Sequence, residues 1–257
     1  MIIPIRVEGT KPPLIMVHGL FGVMPLGQRL ARALGPGHPV QAIHARGLDG
    51  SPHESVEEMA RDHLSDVRRF HPRGPYILGG MCAGCLVALE MARQLRAAGE
   101  TAESVLMLEP NPVLNLHPPQ KKLDAELESA VTAQIRAVAR GWYKLYLPTF
   151  DSVPFDFADP RLLDRAADVG ASLVLAYERY RPQPYSGRVD IIASDPFAKL
   201  ITNENLPWRR EILVGPWAIQ AITGSHEEFF LRGAPAMLGT VQKVVQALDT
   251  PSELVRV

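Results

Sequence analysis

Both cysteines of the chain, Cys82 and Cys85, fall in the stretch "GGMCAGC" at 79–85. Gly80-Met81-Cys82-Ala83-Gly84 has the form G-x-nucleophile-x-G, in which a tight strand-to-helix turn exposes the central side chain and tolerates only small neighbours. The apolar run "PYILGG" before it and the helix-period "LVALEMARQL" after it supply the strand and the helix that such a turn joins. A thiol at a helix N-terminus meets oriented N–H dipoles that favour the thiolate, so Cys82 is expected to be a nucleophile with a lowered pKa. Cys85, one turn into the helix on an apolar face, is expected to be a small buried residue. "CAGC" also has the C-x-x-C form of a thioredoxin-like redox couple, but it sits on the third strand of a longer parallel pattern, with a histidine far downstream. A zinc site is disfavoured because no second cysteine pair or close histidine pair completes four ligands, and no metal is expected.

A cysteine nucleophile for acyl transfer needs a base and a group to orient that base. Of eight histidines, His38, His53, His63, His71 and His117 fall in loops or on helices, where solvated or packed histidines are the rule. His18 follows the first strong strand in "HGLFG", a loop suited to supplying an oxyanion-hole N–H, so its role is shape rather than proton transfer. His44 ends the second strand and is less readily set aside. His226 follows the last apolar run in "ITGSHEEFF", and the order nucleophile first, histidine last is that of α/β-hydrolases. The competing reading of His226 is a loop residue that caps a helix beginning near Glu227. Two carboxylates could orient the base: Glu109, ending "SVLMLEP", and Asp195, ending "VDIIASD". Spacing does not choose between them.

Short β-branched apolar runs at 13–19, 39–43, 75–80, 104–110, 189–195 and 217–226 read as strands, mostly buried on both faces, which is the mark of a parallel sheet. Between the second and third, Ser51 as cap, Pro52 at the first helical position and Glu54 predict a helix start, with Val56, Met59, Ala60, His63, Leu64 and Val67 on one face. After the elbow, Leu86, Leu89, Ala92 and Leu95 predict a second inward face, ended by Gly99. From 111 to 187 the alternation breaks: two helical patterns, 121–147 and 159–180, are joined by "PTFDSVPFDFADP". Such a block between two strands is expected to be a helical lid over the carboxyl edge of the sheet, where α/β proteins place their ligands; the plainer reading is a helical subdomain with no gating role. The fold expected is α/β, a mostly parallel central sheet with helices on both faces and a lid insertion, in one domain over 1–257.

With 257 residues and 46% hydrophobic residues, the chain can bury a full core. A formal net charge of -1 and a pI near 6.7 offer no basic field for nucleic acid or anionic lipid. The N-terminus carries no signal-peptide pattern, and no apolar run approaches the ~20 residues needed to span a bilayer, so a soluble, cytoplasmic protein is expected.

"LIMVHGLFG", "ALGPGHPVQAIHARGLDG", "PYILGGMCAGCLVALEMARQL", "RYRPQPYSGRVDIIASD" and "GSHEEFF" resemble the thioesterase domains of nonribosomal peptide and polyketide synthases, α/β-hydrolases that release assembled products. The resemblance runs over nearly the whole chain and is most specific from the N-terminus through the elbow helix. In the lid it is a matter of length and helical character. It implies an acyl substrate presented as a thioester on the phosphopantetheine arm of an acyl or peptidyl carrier protein, with no bound cofactor. It implies Cys82, His226 and Glu109 as catalytic residues, because family members usually keep the acid after the strand that follows the nucleophile; Asp195 is the alternative acid. It places the oxyanion amides at Ala83 and at Leu20 or Phe21. Two departures matter: most relatives carry serine where this chain has Cys82 and aspartate where it has Glu109. A cysteine holds the acyl group as a thioester, so loading from a carrier is close to isoenergetic, and transfer to another carrier or to an intramolecular acceptor competes with hydrolysis. The chain is expected to act in trans, free of an attached carrier domain. A non-catalytic ligand-binding relative of this fold is a further alternative, disfavoured by the complete Cys, acid and His set.

Overall fold

The sheet is built from the apolar runs, and its edges decide which residues meet. In the computed structural model, which describes residues 1–110, 125–151, 153–202, 211–231 and 235–249, seven strands form one sheet. In chain order they are Ile2–Arg6 (β1), Leu14–Val17 (β2), Val40–Ile43 (β3), Tyr76–Met81 (β4), Ala102–Leu108 (β5), Val189–Ser194 (β6) and Trp217–Ile222 (β7). Their spatial order is β1-β3-β2-β4-β5-β6-β7, with β1 antiparallel and every other pairing parallel. All six expected strands are present. The unexpected one is β1, whose half-buried run and Pro4 give a weak strand signal, as an antiparallel edge strand can.

The helices are Gly27–Leu34 (α1), Val56–Phe70 (α2), Gly84–Ala97 (α3), Ala125–Tyr146 (α4), Pro160–Arg179 (α5), Asp195–Ile201 (α6), His226–Leu231 (α7) and Pro235–Leu248 (α8). Period-two alternation sends Ile15 and Val17 of β2 into a core with α2 and α3, while Leu14 and Met16 pack with α1 and α8 on the opposite face. Each such fully buried aliphatic side chain contributes roughly 1.5–3 kcal/mol of transfer free energy. Val56, Met59, Ala60, His63, Leu64 and Val67 form the buried face of α2. On α3, Leu89, Ala92 and Leu95 are buried and Leu86 is partly so, and Gly99 sits just past the helix with φ +78°.

The start of α2 differs from the expectation. Ser55, not Ser51, is the N-cap: its Oγ accepts the Glu58 N–H at 3.1 Å, and Glu58 Oε2 accepts the Glu54 N–H at 3.2 Å. The Ser51 carbonyl instead accepts from Arg46 Nε at 3.1 Å, which holds 51–54 as a loop after the short 3-10 turn Arg46–Leu48.

The block from 111 to 187 is helical where it is described, with α4 and α5 packed together; its first part, 111–124, lies outside the described residues. A cluster of Phe21, Val23, Ala45, Leu48, Tyr143, Phe157 and Val169 seats these two helices on the loops that leave β2 and β3. No helix among the described residues is long and apolar enough to cross a membrane.

Candidate active site

Parallel register brings four strand ends to one edge. Met81 pairs with Leu108, Leu108 with Ile192, and Ser194 with Ile222, so Cys82, Glu109, Ser194 and the 223–226 turn share the carboxyl side of the sheet. The strand order reverses direction around β2 and β4, and the loops leaving those two strands open the crevice in which such sheets bind ligands.

Cys82 sits in the left-handed region at φ +50°, its N–H donating to Leu108 O at 2.8 Å. A Cβ on Gly80 would lie 2.3 Å from Gly84 O, and one on Gly84 would lie 2.2 Å from His18 O. The two glycines of the motif are therefore required by the close approach of strand, helix and the loop after β2. Cys85 is buried and reduced, its Sγ donating to Gly80 O at 3.2 Å. Cys82 is partly buried between the two core clusters. Burial pushes its thiol up to about 11, the Ala83 N–H offsetting part of the shift and the Glu109 carboxylate adding to it. This corrects the expectation of a lowered pKa: loss of hydration outweighs the helix N-terminus. The resting thiol is neutral and needs a base.

His226 is the first residue of α7, and its Nδ1 lies 3.4 Å from Glu109 Oε1. The helix is capped by Ser225, whose Oγ accepts the Glu228 N–H at 3.2 Å while Glu228 Oε2 accepts the Ser225 N–H at 3.0 Å. The cap is thus Ser225, not His226. Phe197 lies against its ring, centroids 5.4 Å apart. Glu109 is completely buried at φ +51°; Cys82 and Glu109 are the two non-glycine residues with positive φ among the described residues. Such conformations cost on the order of 1 kcal/mol or more and persist where the surroundings over-determine them.

Ser194 holds the carboxylate: its N–H donates to Glu109 Oε2 and its Oγ to Oε1, both at 2.5 Å. Nothing in the sequence singled out Ser194; the only available signal is its place at the end of β6. Asp195, the alternative acid, opens α6 one residue later, and it is the Glu109 carboxylate that lies 3.4 Å from His226 Nδ1.

Cys82 and His226 line one cavity of about 610 Å³, together with Leu20 and Phe21 of the loop after β2 and Trp142 and Tyr146 of α4. α4 and α5 also hold the two backbone segments that carry the expected oxyanion amides. Tyr143 Oη of α4 donates to Phe21 O at 2.8 Å, and Tyr177 Oη of α5 donates to Ala83 O. Both tyrosines are buried and neither role was legible in the sequence.

The other described histidines lie outside the lining of the cavity that holds Cys82 and His226. His18 is buried with Nδ1 2.8 Å from Gly19 O, and burial lowers its pKa to about 4. His44 accepts the Met24 N–H at 3.3 Å and is lowered by burial to about 3, so it is no base for this cavity. His63 is buried on α2, His38 is tied to Pro12 O at 2.8 Å, and His71 caps the end of α2. His117 lies outside the described residues. His53, Glu58 and Asp62 cluster closely enough to suggest metal ligands, but Arg46 already neutralises Glu58 at 3.3 Å and Asp62 at 2.8 Å, and His53 Nε2 is 2.9 Å from Asp62.

The sheet order, the left-handed elbow after β4 and the histidine after β7 define an α/β-hydrolase. Within that fold the chain belongs to the thioesterase domain family, whose model matches residues 12–230. It is 40% identical over 102 residues to malpibaldin synthetase of Mortierella alpina, a match covering 39% of this chain and 2% of the synthetase. Its fold is that of the NocB thioesterase domain, solved in covalent complex with a fluorophosphonate nocardicin G analog (TM-score 0.69, 23% identity, 96% of this chain and 99% of that one). It is equally that of the type II thioesterase BorB from the borrelidin biosynthetic cluster (TM-score 0.67, 22% identity, 96% and 97%).

Proposed function

We propose that this chain releases or transfers acyl groups delivered as thioesters on the phosphopantetheine arm of a carrier protein, through a Cys82 acyl-enzyme. The observation that carries the reading is the shared cavity of Cys82 and His226, with the histidine backed at 3.4 Å by a buried, left-handed Glu109. His226 takes the proton from the Cys82 thiol as the sulfur attacks the thioester carbonyl, because a thiol raised to about 11 is not ionised beforehand. The imidazolium is stabilised by Glu109, itself fixed by the Ser194 N–H and hydroxyl. The tetrahedral oxyanion is received by the N–H of Ala83 and of Leu20 or Phe21. Collapse expels the phosphopantetheine thiol, which takes its proton back from His226.

The second step uses the same groups: His226 deprotonates an acceptor that attacks the acyl-cysteine. Relatives such as malpibaldin synthetase support a place in natural-product assembly. The acceptor is water in a thioesterase and a second carrier thiol or an intramolecular nucleophile in a transferase. Cysteine favours keeping the second reading, since a thioester intermediate stays reactive toward thiols and amines. The two are separated by loading the enzyme from an acyl carrier and following the adduct with and without a second, empty holo carrier. Decay to free acid alone supports hydrolysis. Discharge only onto the second carrier supports transfer, and no adduct from any carrier contradicts both.

A further inference from the structure

One turn of chain, from Ser194 to Phe197, touches two members of the candidate catalytic set. Ser194 ends β6 and gives its N–H and its hydroxyl to the Glu109 carboxylate. Three residues on, the Phe197 ring lies against the His226 imidazole, with centroids 5.4 Å apart and planes tilted by 55°. The turn between them has little freedom. Pro196 sits in the first turn of α6 with its φ fixed by the pyrrolidine ring, and Ala198 and Ile201 anchor that helix in the core shared with α3. Phe197 is partly buried against the same core and stands outside the lining of the Cys82 cavity, so its ring meets the base and not the substrate. His226 needs such support. It opens a six-residue helix with its side chain 37% exposed, and an imidazole so placed has two side-chain torsions for its neighbours to fix. The Glu109 carboxylate, at 3.4 Å from Nδ1, is farther than in an ordinary N–H···O hydrogen bond and does not fix both torsions alone.

We propose that Phe197 is a positioning residue for the base: its ring fixes the plane of the His226 imidazole with Nδ1 toward Glu109, so that one turn after β6 orients both the acid and the histidine. The inference rests on the acyl-enzyme reading above and adds to it a residue that acts through His226. With the ring plane set, Nδ1–H points at the carboxylate and Nε2 is left as the acceptor for the Cys82 proton. A ring that rocks spends part of its time in the other tautomer or turned away from the thiol.

The test compares wild type with Phe197→Leu and Phe197→Met, which keep apolar bulk without a ring, and with Phe197→Tyr, which keeps the ring. Turnover of 4-nitrophenyl acetate is followed as nitrophenolate release, counting the part that Cys82→Ala abolishes. The His226 tautomer is read in the resting protein from the ring-nitrogen shifts of samples labelled in histidine, its signal assigned by loss in His226→Ala. Phe197→Leu and Phe197→Met are expected to lower kcat about three- to tenfold with KM near the wild-type value, and Phe197→Tyr to keep the wild-type rate. In Glu109→Ala protein the added Phe197→Leu change is expected to cost no more than about twofold, because a ring with no carboxylate to face gains little from being held. The tautomer is expected to be Nδ1–H in wild type and Phe197→Tyr, and a mixture in the two apolar variants. Wild-type rates in both apolar variants, a change confined to KM, the full loss repeated in the Glu109→Ala protein, or an unchanged tautomer overturns the proposal. If no protein shows Cys82-dependent turnover while the tautomer still shifts on loss of the ring, the positioning role stands and it is the acyl-enzyme reading that fails.

Discussion

At the scale of single residues the account turns on a neutral thiol that shares its cavity with a histidine. Because burial raises Cys82 to about 11, its alkylation by iodoacetamide in the His226→Ala protein is expected to climb steadily with pH toward that value; a plateau already reached near pH 7 would show a thiolate that needs no base. His226→Ala is expected to lower turnover about a thousandfold or more, and Glu109→Ala by less, since supplying the imidazole is worth more than orienting it. Asp195→Ala is the control: damage confined to that variant would transfer the acid's role away from Glu109. The nucleophile and the histidine were legible because their motifs combine residue type with strand and helix context. Their electrostatics were not. A helix N-terminus favours thiolate, and only the packing of Cys82 between two core clusters reveals that desolvation prevails.

At the scale of elements, α4 and α5 are tied to the loops that leave β2 and β4. Tyr143 and Tyr177 reach down from α4 and α5 to the carbonyls of Phe21 and Ala83, one on each side of the expected oxyanion hole. Tyr143→Phe leaves the Phe21 carbonyl buried without its donor, a loss of about 1–3 kcal/mol in stability. Turnover is expected to fall while carrier binding, read as KM, stays near the wild-type value; a KM effect alone would mean the hydroxyl serves substrate docking instead. Sequence periodicity located these helices but could not say which aromatic faced where. Of the residues around the end of α4, Trp142 and Tyr146 line the cavity, Tyr143 is buried in the cluster with Phe21 and Phe157, and Leu147 stands exposed. Ser194 was illegible for a similar reason: its grip on Glu109 follows from parallel register between β5 and β6, a tertiary fact.

At the scale of the whole molecule, β2 to β6 were readable because burial on both faces leaves continuous apolar runs, whereas β7 is a half-buried edge strand and β1 carries only a weak run; α1, with Leu30, Ala31 and Leu34 buried on one face, has a helical pattern that was legible but went unread. The interior also stores a pH dependence. His18 and His44 are held neutral by burial, with pKa values lowered to about 4 and about 3, and His63 is lowered as well. The unfolded chain, with histidines near 6.5, binds more protons than the native state below that pH. Stability is therefore full above about 6.5 and is lost as pH falls toward 4, at about 1.4 kcal/mol per unit for each histidine. Tm measured from pH 7.5 to 4.5 is expected to drop steeply below 6.5, and a flat profile would mean that burial does not hold these rings neutral.

The central claim, that Cys82 carries the acyl group, is tested most directly by incubating the protein with an acyl-loaded carrier and locating the adduct by intact mass and peptide mapping. An acyl mass on the peptide bearing Cys82, abolished by Cys82→Ala and retained by Cys85→Ala because that thiol only packs, is the result predicted. An adduct at another residue, or equal loss of loading in both cysteine variants, would contradict it.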